Sequence, residues 1–176
     1  LSDQNKTLGS QFFNISPDAS GTVESQPRIL WYPLKNAFLA GQVKVEDPDS
    51  VGTNSTATGF ESKAKGSQSQ ALGYKAIARG EYSTAIGKNA LAHNTNSFAF
   101  GDGAKALNQD SYAFGAFVEA QGMGSFAFGY VGRDSLGPTG TVTKALGNYS
   151  FALGLGAQTG STAEGAFAIG SGTTAQ

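Results

Sequence analysis

The sequence has no cysteine, one histidine and one methionine among its 176 residues. Without cysteine there can be no disulfide, no thiolate metal site and no cysteine nucleophile. The lone histidine, His93, cannot supply a catalytic triad or a histidine-based metal centre by itself. Charge is also scarce: 14% of residues, with a net charge of −1. Nucleic-acid binding calls for a basic patch, and none is present. No run of 18 apolar residues exists, so no helical membrane span is expected. Glycine is abundant, with 25 copies, but has no G-X-Y period, which excludes collagen. The length fits one ordinary domain or one elongated repeat array.

What the sequence does have is a repeat. In Asn96-Ser97-Phe98-Ala99-Phe100-Gly101, small residues alternate with aromatic ones. The same small-x-Ala-x-Gly pattern begins at Ser55, Ser69, Ser83, Ser97, Ser111 and Ser125, each fourteen residues after the last. It returns at Ser150 and, with alanine in first place, at Ala166. A second alternation follows within each unit, centred on Ala64, Ala78, Ala92, Ala106 and Ala120. Two residues beyond these stand Gly66, Gly80, Asn94, Asn108 and Gly122. Glycine and asparagine most readily take positive φ, so this column is read as a left-handed turn.

Period-2 alternation argues for strands. Fourteen residues are too few for a strand, a crossover helix and a second strand. Each unit is therefore two short strands and two turns, stacked as coils of a parallel β-solenoid. Side chains of a strand point alternately to opposite faces. One face of the first strand carries only Ser, Ala and Gly. The other carries Leu72, Ile86, Phe98, Phe100, Phe114, Phe126, Phe128, Phe151 and Leu153. The small faces are expected inside, the aromatic faces outside. An apolar stripe of that length needs a cover, and each fully buried Phe contributes roughly 2–3 kcal/mol. Another copy of the chain is the simplest cover, although periodicity does not set the number of chains. The competing arrangement is a monomer with the aromatics inside.

These repeats resemble the head of the YadA-like trimeric autotransporter adhesins. Asn96 to Gly101 and Asn148-Tyr149-Ser150-Phe151-Ala152-Leu153-Gly154 are the nearest versions of that family's motif, and the resemblance spans residues 55–176. It implies an all-β, left-handed parallel β-roll of 14-residue coils, intertwined as a homotrimer, with the residues named above as trimer core. It further implies a non-enzymatic virulence factor at the bacterial cell surface, anchored in the outer membrane by parts of the full-length protein beyond this head. The implied partners are extracellular matrix proteins or host cells. No nucleic acid, no cofactor, no metal and no membrane contact by this fragment are expected. The alternative is a trimeric receptor-binding module of a phage-like tail fibre. An ice-binding solenoid fits less well, because Thr56, Thr58 and Thr84 do not persist as an array.

Residues 1–50 are not repetitive and read as a lead-in and cap, with repeats over 51–176. A short strand is expected at Phe12-Phe13-Asn14-Ile15, and another at Ile29-Leu30-Trp31-Tyr32, stopped by Pro33. Residues 37–43 resemble a degenerate repeat opening. Trp31, Tyr32 and Phe38 are assigned to the cap, because a solenoid must close its open end. An insertion interrupts the period near 131–142 and reads as a loop. Lys63, Lys105, Glu119, Arg133 and Asp134 are the candidate ligand contacts, from the outward side of the second strand and the inserted loop. Gly101-Asp102-Gly103 and Gly170-Ser171-Gly172 lack the strand–loop–helix setting of phosphate loops and are read as repeat turns.

Overall fold

A computed structural model describes Phe13–Asn14 and residues 22–176. The expectations for Phe12 and Ile15, and for the rest of the lead-in up to residue 21, lie outside the described residues.

Each coil places one strand in a long sheet and one in a short sheet. Among the described residues the long sheet has 11 strands and the short sheet 8. From Thr56–Phe60 onward the long sheet is parallel and in register, coil upon coil. Each strand residue of a coil therefore faces its own equivalent on the next coil, fourteen positions away except across the insertions, as Ala99 faces Ala85 and Ala113. The interior is made of these self-facing columns. Ala71, Ala85, Ala99, Ala113, Ala127 and Ala152 are buried, and Ala78, Ala92, Ala106, Ala120 and Ala145 meet them from the short sheet. Only small side chains allow two sheets to approach so closely. The aromatic residues stand on the outer face, so the arrangement with phenylalanine inside is ruled out.

The serine column closes the turns. Ser69, Ser83, Ser97, Ser111, Ser125 and Ser150 are buried. Each hydroxyl donates to the carbonyl three residues earlier at 2.5–2.7 Å. The Ser97 amide also donates to the Asn94 carbonyl, at 3.2 Å, so loss of the hydroxyl removes one hydrogen bond, a net contribution of about 1 kcal/mol. Ser97→Ala should therefore lower the unfolding free energy by about 1 kcal/mol, read as an earlier urea midpoint at unchanged slope.

The left-handed turn lies elsewhere than the sequence reading placed it. Gly66, Gly80, Asn94, Asn108 and Gly122 do not have positive φ. The left-handed residue comes two positions later, at Gln68, Tyr82, Asn96, Asp110, Gly124 and Tyr149. A second such column follows the long strand, at Glu61, Lys75, Asn89, Gly103 and Phe117. Glycine at 66, 80 and 122 is required by close approach instead. A Cβ there would sit closer than 3.0 Å to the backbone of the next coil. At the two exceptions the asparagine amide donates to the next coil: Asn94 Nδ2 to the Leu107 carbonyl at 3.2 Å, Asn108 Nδ2 to that of Gln121 at 3.3 Å.

At the N-terminal end, Val23–Tyr32 and Ala37–Val45 form an antiparallel hairpin. The first strand ends just before Pro33. The second strand continues into the solenoid, pairing parallel with Thr56–Phe60 and setting Gly41 against Gly59. Larger side chains replace alanine here: Leu30, Tyr32, Leu39, Val43 and Val45 are buried. Of the three aromatics assigned to the cap, Tyr32 lies inside, whereas Trp31 and Phe38 are exposed. Trp31 faces Phe38, and Phe38 faces Thr56, so these two continue the outward columns.

The insertion folds as its own small hairpin, Arg133–Asp134 against Gly137–Pro138. Its ends return to the frame without a slip: Phe126 still faces Phe151, and Glu119 faces Lys144.

Candidate adhesive surfaces

Three outward surfaces result from this stacking. The first is the aromatic face of the long sheet. Phe98, Tyr112, Phe126, Phe151 and Phe167 form one column with centroid separations of 5.3, 6.2, 4.8 and 5.7 Å, all stacked except the tilted Tyr112–Phe126 pair. Beside it run Leu72, Ile86, Phe100, Phe114, Phe128 and Leu153. Stacking within the chain leaves much of this surface open: Phe100 is 51% and Phe128 50% exposed.

The second surface is the outer side of the short sheet, where charges pair between coils. Lys105 Nζ lies 3.1 Å from Glu119 Oε1, and Lys144 Nζ 3.3 Å from Glu119 Oε2. Gln121 Nε2 donates to the same carboxylate at 2.8 Å. Lys63 makes a similar pair with Glu46 at 2.6 Å, with Lys44 at 3.6 Å. Lys63 is separated from Lys105 by the Ile77 and Leu91 coils. The five candidate contacts therefore do not share one patch. Lys105 and Glu119 adjoin, Lys63 stands apart, and Arg133 and Asp134 belong to the inserted hairpin. Asp134 Oδ1 accepts the Leu136 amide at 2.8 Å, turning Leu136 outward at 95% exposure.

The third surface is the corner after the long strand. Phe60 stacks on Tyr74 at 4.8 Å, and Lys75 Nζ stands 5.6 Å from the Tyr74 ring, within cation–π range. The sequence reading passed over this cluster and over Lys144, and took Glu46 for part of a solvated acidic turn, whereas it pairs with Lys63. Phe60 and Tyr74 share one repeat position, which is the signal that could have found them.

Burial pushes the Glu119 carboxyl up, but its hydrogen bonds from Lys105, Gln121 and Lys144 outweigh this and hold it below its ordinary value. A carboxylate with a depressed folded pKa contributes stability above its unfolded pKa and loses it as pH falls through the folded one. The contribution of Glu119 should thus be intact at neutral pH and vanish below the usual carboxylate range of about 4.3. Glu119→Gln should flatten that part of the stability–pH curve, measured by urea unfolding during stepwise acidification.

Among the described residues, no group of three or more His, Cys, Asp or Glu could hold a metal ion, and no helix is long and apolar enough to cross a membrane. The His93 ring nitrogen Nδ1 lies 3.2 Å from Asn94 Oδ1 at an exposed turn.

In-register coils, a small-residue interior and an aromatic outer face define a parallel β-solenoid with 14-residue coils. Its repeats are of a particular kind. Residues 50–76, 64–90, 78–104 and 92–117 each match the family model of the YadA head domain repeat, and this stretch is a YadA-like head domain. The coils from Ser125 onward lie beyond the matched windows yet keep the same register. No curated protein and no solved structure matches the chain.

Proposed function

We propose that this chain is the non-enzymatic head of a bacterial surface adhesin, acting as a homotrimer. The head family points to an adhesin-like role. The observation that carries the finer reading is the outward aromatic face. Its two columns run unbroken from Leu72 and Phe98 to Leu153 and Phe151, and stacking within one chain covers only part of them. Three copies related by one axis would bury these columns against one another. Closed symmetry is the usual outcome for such an interface.

In this reading the short-sheet rows and the inserted hairpin remain on the outside of the trimer. Lys63, Lys105, Glu119, Arg133 and Asp134 are proposed contacts for extracellular matrix proteins or host cell surfaces. Residues 1–50 act as lead-in and cap for the repeats of 51–176. Each contact is presented three times, so weak interactions add through effective concentration. The anchor would lie elsewhere in the full-length protein, at the outer membrane. The reading is tested on surfaces coated with collagen, fibronectin or laminin and on cultured cells. Saturable retention that falls away when the protein is made monomeric supports it. Retention no stronger than on an albumin-coated surface contradicts it.

A further inference from the structure

The corner column carries glycine at 103, 156 and 172, and the first of these lies between side-chain-bearing coils. Asn89, Gly103, Phe117 and Val142 occupy equivalent places on successive coils, each two residues before the paired Leu91, Lys105, Glu119 and Lys144. Glycine at 103 leaves a groove of about 390 Å³, walled by Asn89 on one side and by Phe117 and Val142 on the other. Asp102, Lys105 and Glu119 form its rim.

Phe117 is placed here at a conformational cost. Its φ is +58°, the left-handed region that large side chains avoid. Its amide donates to the Asp102 carbonyl at 2.8 Å, and its ring reaches over Gly103. A Cβ on Gly103 would come within 3.0 Å of the Phe117 Cδ1. The ring packs against Tyr130 at 6.5 Å but remains 46% exposed. The same φ recurs at Glu61, Lys75 and Asn89 on the preceding coils, so what distinguishes this position is the side chain: a half-exposed aromatic ring presented to solvent beside a notch.

The polar groups around the ring select the ligand class. The rim charges are already paired: Lys105 with Glu119 at 3.1 Å, Asp102 Oδ2 with Lys88 at 3.6 Å. An ionic ligand would have to displace one of these partners. A neutral ligand would not. It could use the Asn89 side-chain amide, which has no partner among the described residues, the second Asp102 oxygen and the remaining N–H groups of Lys105. These offer both donors and acceptors. A molecule with an apolar face for the ring and hydroxyls on its edge satisfies all of them.

We infer that this groove binds a neutral saccharide, with one pyranose ring stacked on Phe117 and its hydroxyls held by Asn89, Asp102 and Lys105. The proposal deepens the adhesive reading and rests on it for its biological setting. Saturation-transfer NMR with lactose and with N,N′-diacetylchitobiose tests it on the full chain. Signal transfer to at least one of them is expected, with a Kd of about 1 mM. Phe117→Ala should weaken that binding at least about tenfold while the thermal melt is retained. Asn89→Ala, at an exposed position, provides the same test if the first variant does not fold. A sulfated disaccharide should bind no more tightly than the neutral probes. No transfer from either neutral sugar, or unchanged transfer in a folded variant, overturns the proposal. If matrix retention persists while no sugar binds, the groove assignment falls and the adhesive reading stands. If sugar binds and no matrix or cell surface is retained, the reverse holds.

Discussion

Replacing Gly101 with alanine should be among the most damaging single changes in this chain, costing about 3–5 kcal/mol. Two effects add. The φ of Gly101 is +136°, far from any region open to a β-carbon. A Cβ there would also lie closer than 3.0 Å to the carbonyl oxygen of Gly115 on the next coil. That oxygen belongs to the backbone and cannot swing aside. Relief would require parting two hydrogen-bonded strands in the middle of the solenoid. Coils contact only their neighbours, so the damage should appear as a break in cooperativity as well as a lower midpoint. The matched control is Gly165→Ala. Its φ is +65°, but nothing lies within 4 Å of the added carbon. Only the conformational term of about 1–2 kcal/mol applies there. Comparable losses at the two sites would mean that close stacking of the coils is not what selects glycine.

The second large effect concerns assembly. If the proposed trimer forms through the aromatic face, Phe128→Asp should leave a folded monomer. Phe128 points away from the interior and is half exposed in the single chain, so the coil can form without it. In the trimer its burial would contribute roughly 2–3 kcal/mol per chain. The substitution removes that term three times and brings three carboxylates together near the axis, where desolvated like charges repel. Phe128→Leu keeps an apolar side chain and should keep the trimer. Sedimentation velocity distinguishes the outcomes, with far-UV circular dichroism reporting that the strands persist. An aspartate variant that still sediments as a trimer would mean another face makes the contact.

Much of this architecture was legible because stacking in register forces each position to face itself. Ala99 must fit between Ala85 and Ala113, so the same small residue recurs every fourteen positions. The two sheets, the alanine and serine interior and the outward phenylalanines follow from that rule. The turns were less legible. A residue can adopt the left-handed conformation for about 1–2 kcal/mol. That is little enough for Gln68, Tyr82, Asp110 and Phe117 to do so without a compositional signature. The conspicuous Gly and Asn column drew attention to the wrong position, since glycine there serves proximity rather than dihedral freedom. The N-terminal hairpin was half visible. An apolar run before Pro33 marked the first strand and a degenerate repeat opening the second, but no residue pattern signalled their antiparallel pairing. The charged rows were partly visible as well. Lys105 and Glu119 stand one period apart, whereas Lys144 is displaced by the insertion and Glu46 lies outside the repeats. The Phe117 groove depends on which residue is missing at 103, and composition does not register a gap.

The most direct test of the central claim is the absolute mass of the unmodified chain in solution, measured by multi-angle light scattering. The account predicts three times 18.0 kDa, about 54 kDa. A folded species of 18.0 kDa would contradict it, since the aromatic columns would then face water with no partner to cover them.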